Sequence, residues 1–210
     1  MNQFKESIRM FYKTYTKDKK GRKIYEASIA SKERKKHLYL ATVSCFVMNK
    51  QGKVLVEKRG NSETEPGTLD LVSGHIDNNE TPTQAMIREY VEELHGGDKK
   101  EQEKARNEAI QNLNKLMELD LTFFDEKGKP EKYFIQFYAL QTNLKTITIK
   151  KDEVEKFYWI PLEEVFNLIR QGKINFQYDK RFEKLFQQTR EYYCHKNKKN
   201  NDLERNEKVS

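Results

Sequence analysis

The chain has 210 residues, of which 35% are Asp, Glu, Lys or Arg and 36% are apolar, with a net charge of +7. That length fits one domain with appendages around a core of modest size, and an aromatic content of 11% excludes a globally disordered chain. The charge is uneven: residues 1–40 hold twelve Lys/Arg against four acids, whereas residues 63–93 hold eight acids and a single base, Arg88. An acidic centre beside a basic arm points to a cation site next to a surface that tolerates anions. Two cysteines, Cys45 and Cys194, stand far apart and in no CxxC, which fits a reducing compartment rather than a disulfide framework. The N-terminal MNQFKESIRM has no apolar signal core, and the longest nearly apolar run, Leu38 to Met48, is too short to span a bilayer. The expectation is a soluble, cytoplasmic protein with no membrane partner.

In chain order, residues 1–36 form a basic N-terminal extension in which Phe4, Ile8, Phe11, Tyr12 and Tyr15 recur at three- and four-residue steps and predict a short amphipathic helix. Residues 17–23 (KDKKGRK) read as a charged turn. Leu38–Met48, then Asn49-Lys50-Gln51-Gly52, then Val54-Leu55-Val56 predict a strand, a turn and a second strand. Residues 60–68 are a loop by composition, and Leu69–Ser73 a short strand. Thr81-Pro82-Thr83-Gln84 starts a helix, with Thr81 as N-cap, Pro82 at the first position and Gln84 completing a capping box. It runs through Glu93 and ends at His95-Gly96-Gly97, where glycine suits a left-handed cap. Residues 98–118 look helical again, with Ala105, Ala109, Ile110, Leu113, Leu116 and Met117 on one face. Strands follow at 119–124, 133–141 and 157–160, then a helix from Leu162 to Arg170 and a last helix over about 178–194. A Lys/Asn/Glu-rich tail, residues 196–210, reads as disordered.

Arg88-Glu89-Tyr90-Val91-Glu92-Glu93 carries the chemistry. On a helix Glu89, Glu92 and Glu93 share a face, and like charges at that spacing cost a helix roughly 0.2–0.5 kcal/mol per pair. Positions 96 and 97, where a basic partner would relieve them, are both glycine, and only Arg88 is close. A hard divalent cation relieves the repulsion better, and magnesium keeps waters and coordination positions for substrate phosphates.

The full string Gly74-x5-Glu80-x7-Arg88-Glu89-Tyr90-x-Glu92-Glu93 resembles the signature of the Nudix hydrolase family. The likeness covers roughly residues 38–170, including the strand pair before the box and Glu153-Val154-x4-Trp159-Ile160-Pro161 after it. Two positions depart from the family pattern: His95 stands where a glycine is usual, and Tyr90 where a smaller aliphatic is commoner. Residues 98–118 look like a helical insertion. The resemblance implies an α/β fold, an α/β/α sandwich with a mixed sheet over residues 37–195. It also implies Mg2+ or Mn2+ held by Glu89, Glu92 and Glu93, helped by the Gly74 carbonyl. Arg88 would hold a glutamate in place, Glu80 would be structural or an outer-sphere ligand, and the general base would be a box glutamate or Glu153. The implied activity is hydrolysis of a diphosphate linkage in a nucleoside diphosphate derivative or related small organic diphosphate.

Around the box, Lys58, Arg59 and His75 are candidates to touch phosphate, Trp159 is expected in the core, and an aromatic among Phe134, Phe137 and Tyr138 is a candidate for the cleft wall. The stretch Pro66–His75 resembles the isopentenyl diphosphate isomerase branch of the superfamily. That isomerase uses a cysteine just ahead of the box, where Leu71, Val72 and Ser73 offer none. An RNA-directed, decapping-like role is the other alternative: the basic arm admits nucleic acid, and no RNA-binding motif backs it. The 98–118 helix is expected beside the cleft, shaping substrate access within one chain or across a homodimer.

Overall fold

The computed structural model describes residues 19–20, 39–61, 65–77, 79–124, 128–143 and 147–197, and the backbone alone of 11–17, 23–29 and 198–207. The strands are β1 (Phe11–Lys17), β2 (Lys23–Ile29), β3 (Tyr39–Met48), β4 (Lys53–Arg59), β5 (Leu69–Asp70), β6 (Val72–His75), β7 (Asn114–Phe124), β8 (Pro130–Gln141) and β9 (Val154–Pro161). The helices are α1 (Pro82–Leu94), α2 (Lys99–Asn112), α3 (Leu162–Arg170) and α4 (Phe182–Glu207). No described helix is long and apolar enough to cross a membrane.

β3 and β4 make the expected hairpin. Gly52 takes φ 74°, and the Asn49 side chain accepts from the backbone N–H groups of Gln51 and Lys53. The strands pair at Met48↔Val54 and then part. Beyond that point β3 pairs β6 antiparallel, from Thr42↔His75 to Cys45↔Val72, and β8 in parallel, from Leu40↔Tyr133 to Met48↔Gln141. β4 pairs instead with β5 and β9. The mixed sheet therefore forks, and Leu71, between β5 and β6, carries the chain from one arm to the other.

Alternation on the central strands feeds two cores. Val43, Cys45 and Val47 face α1 and α2, packing with Ala85, Met86, Tyr90, Ala105 and Ala109. Phe46 and Met48 face α3 and α4, packing with Val165, Phe166, Phe182 and Leu185. This is the three-layer sandwich expected.

Four expectations change. Residues 11–17 are strand, not helix: β1 pairs with β2 along its whole length and with β3 at Thr14↔Leu40 and Tyr15↔Tyr39. Thr14, Thr16 and the tyrosines suit a ladder, and pairing overrides the helical spacing; Phe4 and Ile8 lie outside the described residues. The 98–118 helix stops at Asn112, because from Asn114 the chain gains a full antiparallel ladder with β8 that a polar, marginal helix cannot match. Leu116 and Met117 thus pack from a strand, and Ile110 is exposed. The last helix continues to Glu207, through the stretch read as a disordered tail, since no glycine or proline interrupts it. At the end of α1 neither Gly96 nor Gly97 takes a positive φ. His95 donates its N–H to Val91 O, and residues 148–150 close the other ends: Thr148 N–H to Leu94 O, Gly96 N–H to Thr148 O, and Lys150 N–H to Glu93 O.

Candidate active site

α1 starts as read: Thr81 Oγ1 accepts from Gln84 N–H, and Gln84 Oε1 accepts from Thr81 N–H. This fixes the helix phase that turns residues 88, 89, 92 and 93 toward the fork. Arg88 is the hub. Its Nε and Nη2 grip Glu80 at 2.8 and 2.9 Å, its Nη1 reaches Glu89 at 2.7 Å and Glu92 at 3.4 Å, and Nη2 also donates to the His75 carbonyl at 2.9 Å. Burial works against the Arg88 charge, but the Glu80 and Glu89 carboxylates outweigh it and hold the guanidinium protonated. In return, burial pushes the Glu80 carboxyl up and Arg88 more than cancels it, leaving it below its ordinary value.

Glu89 is seated on Gly74 of β6. A Cβ at residue 74 would lie within bonding distance of the Glu89 carboxylate, so only glycine admits that side chain there. Burial, opposed by Arg88 and aided by Glu92 and Glu153, pushes Glu89 up to about 8. Glu93 lines the cleft, and its Oε2 is buried without a hydrogen-bond partner. Burial first, then the charges of Glu57, Glu89, Asp70 and Glu153, raise its carboxyl well above the usual range. Glu92 is the outermost of the three, with a side chain 40% exposed.

The cleft, of about 1000 Å3, opens between the arms of the fork. Glu153 reaches it on the segment entering β9, and its side chain pairs with Lys150, whose backbone is tied to α1. Arg59 and His75 also line it; Lys58 does not, and pairs instead with Glu155 at 2.7 Å on the neighbouring strand. Arg59 is committed to Asp70 at 2.6 Å. Asp70 and Glu57, opposite each other in the β4–β5 register, are cleft acids that the sequence reading did not single out. Burial, partly offset by Arg59, pushes Asp70 up to about 6. The only sequence signal for Glu57 was a charge closing the apolar run Val54–Val56. Phe134, Phe137 and Tyr138 are core residues and do not line the cleft; its aromatic wall is Phe123, Phe124, Tyr133 and Phe176. Trp159 packs at the edge of the α1-side core, as expected.

The residues present fit a hard cation. The cradle over Gly74 places one carboxylate, Glu93 offers a buried oxygen with no partner, and three further acids crowd it. Among the described residues no three acidic, His or Cys side chains are already set at ligand spacing, and Arg88 holds oxygens of Glu89 and Glu92.

A protein-family model described as NUDIX domain matches residues 38–185. The chain belongs to the Nudix family. It is accordingly a pyrophosphohydrolase of the Nudix type. No curated protein sequence matches it. Among solved structures, DR0079 from Deinococcus radiodurans is similar at 20% identity and a TM-score of 0.51, covering 77% of this chain and 90% of that one. The NUDIX domain of Shewanella oneidensis NrtR, complexed with ADP ribose, gives 20% identity and 0.49 over 77% and 92%. A C. elegans Ap4A hydrolase gives 18% and 0.47 over 74% and 98%. The first of these bears on the fold.

Within the Nudix box, both departures have a structural partner. Tyr90 is 1% exposed, and its hydroxyl donates to Glu108 Oε2 on α2 at 2.9 Å. The same carboxylate accepts from Thr142 Oγ1 at 2.8 Å and from the Asn143 N–H at 2.7 Å. His95 packs edge-on against Tyr90 at 5.0 Å, and burial lowers its imidazole to about 4. Helix α2 is thus a brace between the box helix and the end of β8. Within one chain none of its residues is among those that line the cleft. Cys45 is fully buried on the α1 face of β3, and burial drives its thiol far up, so it does not replace the isomerase cysteine.

Proposed function

We propose that this Nudix protein hydrolyses a diphosphate linkage in a nucleoside diphosphate derivative or a related small organic diphosphate, with Mg2+ or Mn2+ as cofactor. The observation that carries the reading is Glu93: a cleft carboxylate with a buried, unpartnered oxygen, crowded by Glu57, Asp70, Glu89 and Glu153. Carboxylates gathered in this way repel one another until a proton or a cation offsets them, and a divalent cation does so with the carboxylates ionised. Glu89, Glu92 and Glu93 would hold the metal, with the Gly74 carbonyl. Bound there, it would neutralise charge on the phosphate oxygens and bring a water's pKa towards ~7.

The remaining roles belong to the chain itself. Arg88 positions Glu89 against Gly74 and ties Glu80 and the His75 carbonyl into one unit, which makes it a positioning residue rather than a group that touches substrate. Glu153, on the segment tied to the end of α1, is the candidate to accept a proton from the attacking water. Arg59 and His75 line the phosphate side of the cleft. Lys58, engaged with Glu155 outside the cleft, leaves the set of substrate ligands. The test is a panel of nucleotide sugars, dinucleoside polyphosphates, nucleoside triphosphates and non-nucleoside diphosphates, incubated with Mg2+ or Mn2+ and followed by mass spectrometry of the products. Cleavage between the two phosphorus atoms is expected for at least one compound class, and no cleavage with either metal would refute the reading.

A further inference from the structure

Glu153 stands on a turn that is pinned at both ends. On one side the Lys150 N–H donates to Glu93 O at 3.1 Å, in the last turn of the box helix. On the other, the Gly60 N–H, just past β4, donates to Glu153 O at 2.7 Å. A Cβ on Gly60 would lie 2.5 Å from Asp152 O, so only glycine lets the end of β4 approach the turn this closely. The Lys150 carbonyl closes the turn, accepting from the N–H groups of Glu153 and Val154 at 2.9 and 2.8 Å. The backbone thus sets Glu153 at the cleft, between the end of β4 and the helix that carries the box carboxylates.

Where the carboxylate points is a separate matter. The Glu153 charge bears on both Glu89 and Glu93. Like charges repel, and a glutamate left to itself at this position would turn its side chain toward water. Glu153 does not: its side chain is 14% exposed and lines the cleft, while its neighbours Lys151 and Asp152 are exposed. The Lys150 ammonium, three residues back across the turn, donates to Glu153 Oε1 and supplies the opposing pull.

We propose that Lys150 is a positioning residue for the hydrolysis: its ammonium holds the Glu153 carboxylate in the cleft against the charges of Glu89 and Glu93, and its backbone bond to Glu93 keeps that carboxylate in register with the box helix. The inference rests on the reading of Glu153 as the group that accepts a proton from the attacking water. Such an acceptor must lie within hydrogen-bond reach of the proton it takes, and a misplacement of about 1 Å costs a reaction about a hundredfold. Lys150 acts through Glu153, so loss of the tether should fall on kcat and spare KM.

The test has a kinetic part and a spectroscopic part. In the first, kcat and KM are measured with Mg2+ on the best-cleaved compound of the panel, for the full chain and for Lys150→Met, Lys150→Arg, Glu153→Gln and the double variant Lys150→Met with Glu153→Gln. Lys150→Met should lower kcat about tenfold to a hundredfold and leave KM nearly unchanged, and Lys150→Arg should recover most of the loss. With Glu153→Gln already in place, Lys150→Met should cost nothing further, whereas a merely structural lysine would lower Tm in both backgrounds and act additively. The second part needs neither metal nor substrate: the nitrogen–proton resonance of the Lys150 ammonium, slowed in exchange by the ion pair, should be seen by NMR in the wild type and be lost in Glu153→Gln. No such resonance in the wild type overturns the proposal. So does a wild-type kcat in Lys150→Met, which leaves Glu153 as the acceptor if Glu153→Gln is inactive. Wild-type turnover by Glu153→Gln refutes the acceptor, and the proposal with it. A held pair with no diphosphate cleaved refutes the hydrolase reading, and the role of Lys150 falls with it while the pair stands.

Discussion

Replacing Arg88 with alanine removes the one cation that holds the box together. The guanidinium makes two bonds to Glu80, one to Glu89, a longer one to Glu92 and one to the His75 carbonyl, and its side chain is 23% exposed. Glu80 and Glu89 are 21% and 13% exposed, so neither is fully rescued by water when the partner goes. Breaking a buried pair from one side costs about 3–5 kcal/mol; the partial exposure here puts Arg88→Ala near the lower end, about 3 kcal/mol. For a chain of this size that is a drop in Tm of roughly 6–12 °C. Freed from Arg88, Glu89 and Glu92 should also lose the geometry that a metal needs. Thermal melts, and calorimetric titration of Mn2+ at a temperature where the variant is folded, read both effects. A double variant, Arg88→Ala with Glu80→Gln, should recover part of the lost stability, because it removes one stranded charge. A melt unchanged within experimental error together with wild-type Mn2+ affinity would refute the reasoning, and Arg88 would then be a solvated surface charge.

Three further outcomes follow from the same geometry. Glu92→Gln and Glu93→Gln should each lower turnover by orders of magnitude, but they should melt differently. Glu93 is crowded by acids rather than exposed, so its neutral variant should melt higher without metal, whereas Glu92→Gln should hardly move; identical shifts would count against the cluster. Glu108→Ala should strand the buried Tyr90 hydroxyl, cost about 1–3 kcal/mol and speed amide exchange at 142–150; unaltered exchange there would show that α2 braces nothing. Glu89 binds its proton more tightly folded than unfolded, because burial raises it to about 8. Stability from that group is complete below its ordinary value of 4.5 and is lost as pH rises through about 8. Between about pH 7, above which His95 is largely neutral in both states, and about pH 8 the metal-free protein should therefore lose stability. Added Mg2+ should stabilise it more as pH rises, since metal binding needs the carboxylates ionised; a metal-free Tm that climbs over that interval would contradict the sign.

The sequence by itself determined the box helix. The start at Thr81-Pro82-Thr83-Gln84 and the shared face of Glu89, Glu92 and Glu93 are local consequences of helix geometry. The β3–β4 turn, the β8 strand and α3 were legible for the same reason, because apolar period and turn chemistry act over a few residues. What only the tertiary structure decided were the matters set by pairing partners far along the chain. Residues 11–17 became a strand because β2 and β3 were there to accept the ladder, and residues 114–118 left the helix because β8 was. Glu57 and Asp70 joined the site because β4 and β5 pair and set them side by side on one arm of the fork. Tyr90 and His95, which read as irregularities of the box, proved to be where α2 and the 147–150 segment attach to it. Local patterns fix which residues can share a face. Which faces meet depends on long-range pairing, which spacing along a single chain does not encode.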